Sequence, residues 1–377
     1  MKIVFTGGVT GGHFYPIIAV AEAMREVSKE NKILDQDLYF IAPDPYNEKI
    51  LFDNLIKYKK VPAGKMRRYF SILNFFDLFK TGWGIIKAMW TVFWIYPDVI
   101  FSKGGSGSFP VVLAGKFLGI PIIIHESDST PGKVNQWSGK FADKIAVSYP
   151  EAGKFFDEKK VAWTGNPVRK NISHVAEEGA DEFLDLEENV PVVLILGGSQ
   201  GSEIINEAVI DTLPKLVKDY QIIHQTGKTN YEKVKNTAEV VLEMESKDKK
   251  YRYHAFPYLD DLAMKMAAGA AEIVISRAGS TLFEISTWQK PSIIIPITKS
   301  NRNHQRVNAY TYSRFGAGTV IEERNLTDDI LYFEIDRILK NEDVKNKMIE
   351  GTKKFAKPDA AKTIAKEILE TALRHQK

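Results

Sequence analysis

The chain of 377 residues contains no cysteine, so disulfides, thiolate metal sites and cysteine nucleophiles are excluded. In its most aromatic region, residues 64–98, the longest uncharged apolar run is Ala88 to Tyr96, well short of the roughly 20 residues a spanning helix needs. Neither sign of charge dominates, and a net charge of +3 is too mild for wholesale nucleic-acid binding, so no nucleic-acid partner is expected. Nothing at the start resembles a signal peptide, because Met1 and Lys2 lead straight into an apolar run, and a cytoplasmic location is expected. Two phosphate signatures are also missing. No G-x-G-x-x-G dinucleotide fingerprint occurs, and no Walker-type lysine closes a glycine loop. The rest is ordinary soluble composition, in a chain long enough for two domains.

Glycine is present in clusters instead. "IVFTGGVTGGHFYPIIAVAEAMRE" places Gly7, Gly8, Gly11 and Gly12 between a β-branched run and an amphipathic helical pattern. Glycine lets backbone N–H groups press against a ligand, and a helix N-terminus adds unpaired donors that suit phosphate. "VVLILGGSQGSEIINEAV" (192–209) repeats this design near the middle of the chain. A third cluster, "SKGGSGSFP" (102–110), follows another strand-like run. Glycine turns often serve close packing alone, but three of them point together to a diphosphate ligand.

Candidate strands at 2–6, 38–42, 99–102, 120–125, 144–147, 192–196, 221–225, 273–276 and 292–296 are short and apolar and alternate with helical patterns. This predicts an α/β protein with parallel sheets. The internal repeat predicts two Rossmann-like domains, 1–166 and 167–350, their glycine loops opening onto one crevice, and a last helix over 351–377 that could pack back on the first domain.

Several residues carry candidate chemistry. His13 follows the first glycine loop, where a near-neutral pKa suits proton transfer; a histidine merely satisfied in a turn is the plainer alternative. "ISRAGSTLFEIST" (275–287) puts Arg277 after a strand and Ser280 in a turn. Its Glu284, on the first turns of a helix, could accept bonds from two ribose hydroxyls or simply complement the helix dipole. "TKSNRNHQRVNA" (298–309) offers Asn303, His304, Gln305 and Asn308, either as readers of sugar hydroxyls or as an ordinary polar loop. "IIIHESDSTPGKVN" (122–135) sets His125, Glu126 and Asp128 after a strand, with Asn135 beyond a turn. Such groups bind zinc, but no second clustered histidine accompanies them, so no metal is expected. The segment 64–98 mixes Lys65, Arg67, Arg68, Lys80 and Lys87 with aromatics. It suits lying on an anionic membrane surface, or its aromatics could fill a core.

Thr10-Gly11-Gly12-His13, "GKMRRYF", "HES", "TGNPVR", "GGSQG", "HQTGK", "YLDDLA", "SRAGS" with Glu284, and "NHQ" with Asn308-Ala309 occur in one order. As a set they resemble the MurG family, which transfers N-acetylglucosamine to lipid I to make lipid II. The resemblance spans nearly the whole chain. It implies a glycosyltransferase B fold, two Rossmann-like domains facing across a cleft. The first would take the lipid-linked acceptor and dock on the membrane; the second would hold UDP-N-acetylglucosamine. The enzyme would be peripheral, on the cytoplasmic face of the plasma membrane, with no cofactor and no metal. By the same resemblance, His13 would be the general base. Thr10, Gly11, Gly12, Asp128, Arg169, Ser199, Leu259, Ser280, Thr281, Leu282, Phe283, Glu284 and Gln305 would bind the donor substrate, with Asn135, Arg277 and Asn308 also at the site.

The chain departs from the family pattern in four places. Val9 stands where a further glycine is common, and Ser106 where an aromatic is usual. The stretch from Arg277 to Glu284 is one residue short. The frequent "HEQN" is "HESD", so Asp128 replaces an amide, and an ionised carboxylate cannot donate a hydrogen bond. Rival readings are another transferase of the same fold, such as a glycolipid synthase; a UDP-sugar 2-epimerase, for which the basic aromatic segment has no purpose; and a non-catalytic sugar-nucleotide binding protein. A nicotinamide-linked oxidoreductase is disfavoured by the missing fingerprint.

Overall fold

The computed structural model describes residues 1–8, 10–33, 36–64, 73–198, 200–298 and 303–376. Lys65, Arg67 and Arg68 of the basic segment, and Ser199, lie outside the described residues.

Among the described residues thirteen strands form two sheets. The first contains β1 (Lys2–Thr6), β2 (Asp37–Ala42), β3 (Ile56–Lys60), β4 (Val99–Ser102), β5 (Ile122–Glu126), β6 (Lys144–Val147) and β7 (Val161–Trp163), in the spatial order 3-2-1-4-5-6-7. The second contains β8 (Val192–Leu196), β9 (Gln221–Gln225), β10 (Tyr253–Phe256), β11 (Ala271–Ser276), β12 (Ser292–Ile294) and β13 (Thr319–Val320), in the order 10-9-8-11-12-13. Neighbouring strands are parallel throughout. Counted from its own first strand, the second sheet repeats the order of the first, so the repeat in sequence is a repeat in topology. Strands such as β4, β5, β8 and β9 are buried along their whole length, because helices cover both faces of each sheet.

The chain divides into two compact units, residues 1–169 with 357–377, and residues 170–356. The end of the chain is not one helix from 351. A helix over Glu342–Phe355 belongs to the second unit and stops before Lys357-Pro358, since the residue preceding a proline disfavours helical backbone. A second helix, Ala360–His375, returns to the first unit. It buries Ile364, Ala365, Ile368, Leu369 and Ala372 in one cluster with Ile3, Phe5, Phe14 and Val99.

The Leu73–Ile95 helix packs by its small and aliphatic residues. Gly84, Ala88, Val92 and Ile95 face the core, at spacings of one helical turn. The aromatics that could have filled that core point the other way: Trp83 is 62% exposed, and Trp90 and Trp94 are each 66% exposed. Phe79, Ile86, Phe93 and Tyr96 are exposed with them, as are Lys80 and Lys87.

Two glycines of this helix make opposite predictions. A Cβ on Gly84 would lie 1.9 Å from the carbonyl oxygen of Pro62, whereas one on Gly82 would meet nothing within 4 Å. Gly84→Ala is expected to destabilise the first unit by about 1–3 kcal/mol through overpacking. Gly82→Ala is expected to stabilise it by about 0.5–1 kcal/mol through helix propensity. Urea unfolding followed by circular dichroism checks both signs.

Candidate active site

In each sheet the strand order reverses at one point, between β1 and β4 and between β8 and β11. Crevices for ligands in parallel α/β sheets form there, beyond the carboxyl ends of the strands. The glycine loops after β1 and β4 therefore meet at the first switch point, and His13 lies in the first turn of the Gly11–Glu30 helix beside them. The fit leaves no room for side chains. A Cβ on Gly8 would stand 2.8 Å from Nδ1 of His13. Gly105 adopts φ of 81°, and a Cβ there would lie 3.0 Å from the Cα of Gly8 and 3.5 Å from Nε2 of His13. Glycine at 105 thus both permits the left-handed turn and leaves Nε2 uncovered. Nδ1 of His13 pairs with Oγ1 of Thr10 at 2.9 Å. Burial and the Lys103 ammonium push the ring down to about 4, against the Asp128 carboxylate, so His13 is a neutral base at physiological pH. Thr10 makes no side-chain cap, and Gly11 and Gly12 open the helix, where N–H groups have no intrahelical partner.

Lys103, at the carboxyl end of β4, is only 1% exposed. All three ammonium protons are placed: Nζ donates to Nδ1 of His125 at 2.6 Å, to Oγ of Ser127 at 2.6 Å and to Oδ1 of Asn166 at 3.1 Å. Burial lowers Lys103 to about 7, against the opposing pull of Glu126 and Asp128. His125 accepts at Nδ1 and donates from Nε2 to the carbonyl of Gly165 at 3.0 Å. Both its ring nitrogens are committed, and burial keeps it neutral well below its ordinary value. Among the described residues no group of three or more His, Asp or Glu side chains could hold a metal ion.

The adjacent Glu126 organises the 127–132 loop. Oε1 accepts from the N–H of Asp128 at 3.0 Å, and Oε2 from the N–H of Gly132 at 3.0 Å and from Nδ2 of Asn135 at 2.9 Å. Burial, then the Asp128 charge, raises this carboxyl to about 7 in spite of the three donors. Asn135 is buried and also donates to the carbonyl of His125 at 3.0 Å. It therefore braces β5 and its loop. Arg169 ends the first unit, with its guanidinium carbon 4.1 Å from the centroid of the Tyr15 ring on the same helix as His13.

In the second unit the loop after β8 carries Gly198 and Gly201 at φ of 88° and 78°. A Cβ on Gly201 would stand 2.0 Å from the carbonyl oxygen of Thr226, so only glycine lets these backbones meet. Gln225 ties two site loops together, donating to the carbonyl of Gly198 at 3.2 Å and accepting from the N–H of Leu259 at 3.0 Å. The Leu259 side chain is buried in a core cluster. Arg277 is spent on scaffolding: it donates to Oγ of Ser202 at 2.6 Å and to the carbonyl of Ile295 at 3.0 Å, and pairs with Glu323 at 2.8 Å. Ser280 precedes the Thr281–Trp288 helix, where Leu282 and Phe283 are buried and Glu284 is half-exposed in the first turn. Gln305 accepts from the N–H of Ile297 at 3.1 Å, and Asn308 donates to the carbonyl of Ala278 at 3.2 Å. These residues gather the loops after β8, β11 and β12 at the second switch point.

The structure adds Lys103, Asn166, Gln225 and Tyr15 to the residues expected from sequence. Lys103 stands directly after β4 and before two glycines, but the partners that give it, Asn166 and Gln225 their meaning are distant in sequence.

Residues 3–147 match the glycosyltransferase family 28 N-terminal domain, and residues 192–364 match the glycosyltransferase family 28 C-terminal domain. The chain is 36% identical, over 98% of its length and 99% of the relative's, to a Bacillus thuringiensis protein named UDP-N-acetylglucosamine--N-acetylmuramyl-(pentapeptide) pyrophosphoryl-undecaprenol N-acetylglucosamine transferase 3. A Clostridium novyi transferase of the same name, without the numeral, is 35% identical over 90% of each chain. Among solved structures, Acinetobacter baumannii MurG superposes with a TM-score of 0.72 at 21% identity, covering 98% of this chain and 99% of that one. UDP-GlcNAc 2-epimerase from Neisseria meningitidis, bound to UDP-GlcNAc, gives 0.67 at 15% identity, covering 99% and 100%. The fold is thus common to transferases and epimerases, and the identity along the sequence separates them.

Glu126→Gln is expected to open the 127–132 loop. An amide cannot accept on both ends, so at least one buried N–H loses its partner, at a cost of about 1–3 kcal/mol. Hydrogen exchange at the Asp128 and Gly132 amides should quicken, while the β8 and β9 amides stay protected.

Proposed function

This chain belongs to the MurG transferases of glycosyltransferase family 28, and we propose on that footing that it moves N-acetylglucosamine from UDP-N-acetylglucosamine to the C4 hydroxyl of lipid I, giving lipid II for peptidoglycan. The observation that carries this reading is the identity of about a third with transferases of that name along almost the whole chain.

The acceptor oxygen O4 attacks the anomeric carbon, a C1–O4 bond forms as the C1–phosphate bond breaks, and UDP leaves with inversion at C1. The O4 proton passes to Nε2 of His13. In the tautomer whose Nδ1–H donates to Oγ1 of Thr10, Nε2 is the basic atom, and the ring's neutrality lets it take the proton. Charge grows on the diphosphate as it departs. Backbone N–H groups at Thr10 to Gly12 and at Ser280 to Phe283, with Arg169 and Ser199, would receive it. Glu284 would take the ribose, the backbone at Leu259 the uracil, and Gln305 the sugar hydroxyls. Asp128 would stand at the sugar end, and Asn135, Arg277 and Asn308 would hold the loops that make these contacts. Gln305 exchanges its present partner, the Ile297 N–H, for a sugar hydroxyl or accepts both.

The exposed stripe of Phe79, Trp83, Ile86, Trp90 and Trp94, flanked by Lys80 and Lys87, supports a peripheral site on an anionic, cytoplasmic membrane face. Beside it an open apolar hollow of about 710 Å³, lined by Leu78, Trp83, Ile85 and Phe109, would suit the first units of a polyprenyl chain. No helix among the described residues is long and apolar enough to cross a membrane.

Incubation with UDP-N-acetylglucosamine and a lipid I analogue, without added metal, should yield disaccharide product and UDP. Transfer from another sugar nucleotide instead, or epimerisation of the donor with no acceptor consumed, would overturn the reading. His13→Ala should lower turnover by about 10²–10⁴-fold with little change in donor affinity. In the unaltered enzyme the acid limb of kcat/KM should fall near pH 4 and not at the ordinary histidine value. Replacing Trp83, Trp90 and Trp94 together by serine should abolish co-sedimentation with phosphatidylglycerol vesicles and leave the melting temperature unchanged.

A further inference from the structure

His224, on β9, is wholly buried, and no step of the transfer uses it. Its ring stands between two partners. Nδ1 is 3.0 Å from the Tyr253 hydroxyl, and Nε2 is 3.0 Å from Oδ1 of Asn206. The direction of these bonds follows from their far end. Nδ2 of Asn206 donates to the carbonyl of Thr226 at 3.0 Å, and a carbonyl can only accept. The Asn206 amide oxygen therefore faces His224 and accepts in turn, so Nε2 carries the ring proton. Nδ1 is left as an acceptor, and the Tyr253 hydroxyl donates to it. Burial pushes the ring down to about 3, which keeps it neutral, as this pattern requires. Residues from β10, β9, the Glu203–Asp219 helix and the loop after β9 thus form one directed chain of hydrogen bonds, each polarising the next.

That chain of bonds ends on the peptide that supports the glycine loop after β8. The Thr226 carbonyl oxygen lies only 2.0 Å from where a Cβ on Gly201 would be, and a Cβ on Gly227 would lie 2.4 Å from the carbonyl oxygen of Gln200. The two loops meet backbone to backbone, so a shift of one displaces the other. Asn230 also donates to the Thr226 carbonyl, at 3.2 Å, but it lies in the same turn, its own N–H bonded to the Gly227 carbonyl. Asn206 instead ties that carbonyl to the helix that follows the glycine loop.

We propose that His224 is a positioning residue for the donor diphosphate: through Asn206 it holds the Thr226 carbonyl against Gly201 and so fixes the loop after β8, with Tyr253 setting its tautomer. That this loop receives the diphosphate rests on the transferase reading; the hydrogen bonds do not. A leucine at 224 would fill much of the same space but leave the Asn206 oxygen without a donor. The amide, and the carbonyl it holds, would then lose their fixed direction.

Nitrogen-15 NMR of the imidazoles in the whole protein should show the proton of His224 on Nε2, its signals assigned by their loss in His224→Gln. Tyr253→Phe should shift the Nδ1 signal and leave the proton in place. Gly201, whose N–H donates to the Gly198 carbonyl at 3.1 Å, reports on the loop. In His224→Leu that amide should exchange faster. The dissociation constant for UDP should rise about five- to tenfold, the loss of roughly one hydrogen bond, and donor KM should rise with it while acceptor KM stays. A glutamine amide reaches as far as the imidazole Nε2 and can donate to Asn206. His224→Gln should therefore bring UDP affinity, donor KM and Gly201 exchange to within about twofold of the wild type. If His224→Leu does not fold, His224→Asn replaces it, because the shorter amide stops at the place of Nδ1. A proton found on Nδ1, or an Nδ1 signal unmoved in Tyr253→Phe, overturns the proposal. So does a leucine variant that lowers the melting temperature alone, or a glutamine variant no better than the leucine one. A wild type that binds no UDP would overturn the transferase reading, and the ring tautomer and Gly201 exchange would still decide whether His224 holds the loop.

Discussion

An all-parallel sheet sends every strand the same way, so all the loops that follow the strands emerge along one edge. Where the order of strands reverses, two of those loops diverge to opposite faces and leave a gap. Both sheets of this protein have one such reversal, and the residues with chemistry crowd around it. His13, Lys103 and Gly105 come from the two strands that flank the first gap; Gly198, Arg277 and Ser280 come from those that flank the second. The rest of each unit serves to hold those loop ends still.

Holding them still takes buried polar wiring as well as glycine. In the first unit Lys103 joins the ends of β4 and β5 to Asn166, and Glu126 binds its own loop at three points. In the second unit Gln225 and Arg277 do comparable work between loops distant in sequence. Each is a long side chain with several donors or acceptors, bonded to more than one neighbour. Such a residue is costly to bury unless every bond is made, which is why these networks fix one arrangement of the loops and not several.

The sequence disclosed the interior of each sheet far better than its borders. Every one of the nine expected strands is present, some with ends shifted by one or two residues. The four that went unnoticed, β3, β7, β10 and β13, are the edge strands of the two sheets. A central strand buried on both faces reads as an apolar run, whereas "IKYKK" at β3 alternates with solvent and carries three lysines. The glycine loops, His13 and the two repeats were legible because they are local patterns. Lys103, Asn166 and Gln225 were not, because their meaning lies in partners far along the chain. The Trp-rich helix was ambiguous for a different reason: composition alone does not say which face of a helix turns inward, and here the small residues do.

The Ala360–His375 helix carries one more implication. It completes the core laid down by β1 and the Gly11–Glu30 helix, with the whole second unit intervening in the chain. A ribosome releases it only after that second unit. The half of the molecule begun first is thus the half completed later: during synthesis its apolar groove at Phe5 and Phe14 waits uncovered while residues 170–356 emerge and fold. Ribosome-bound nascent chains of this protein should for that reason be customers of chaperones until residues 360–375 are free to dock.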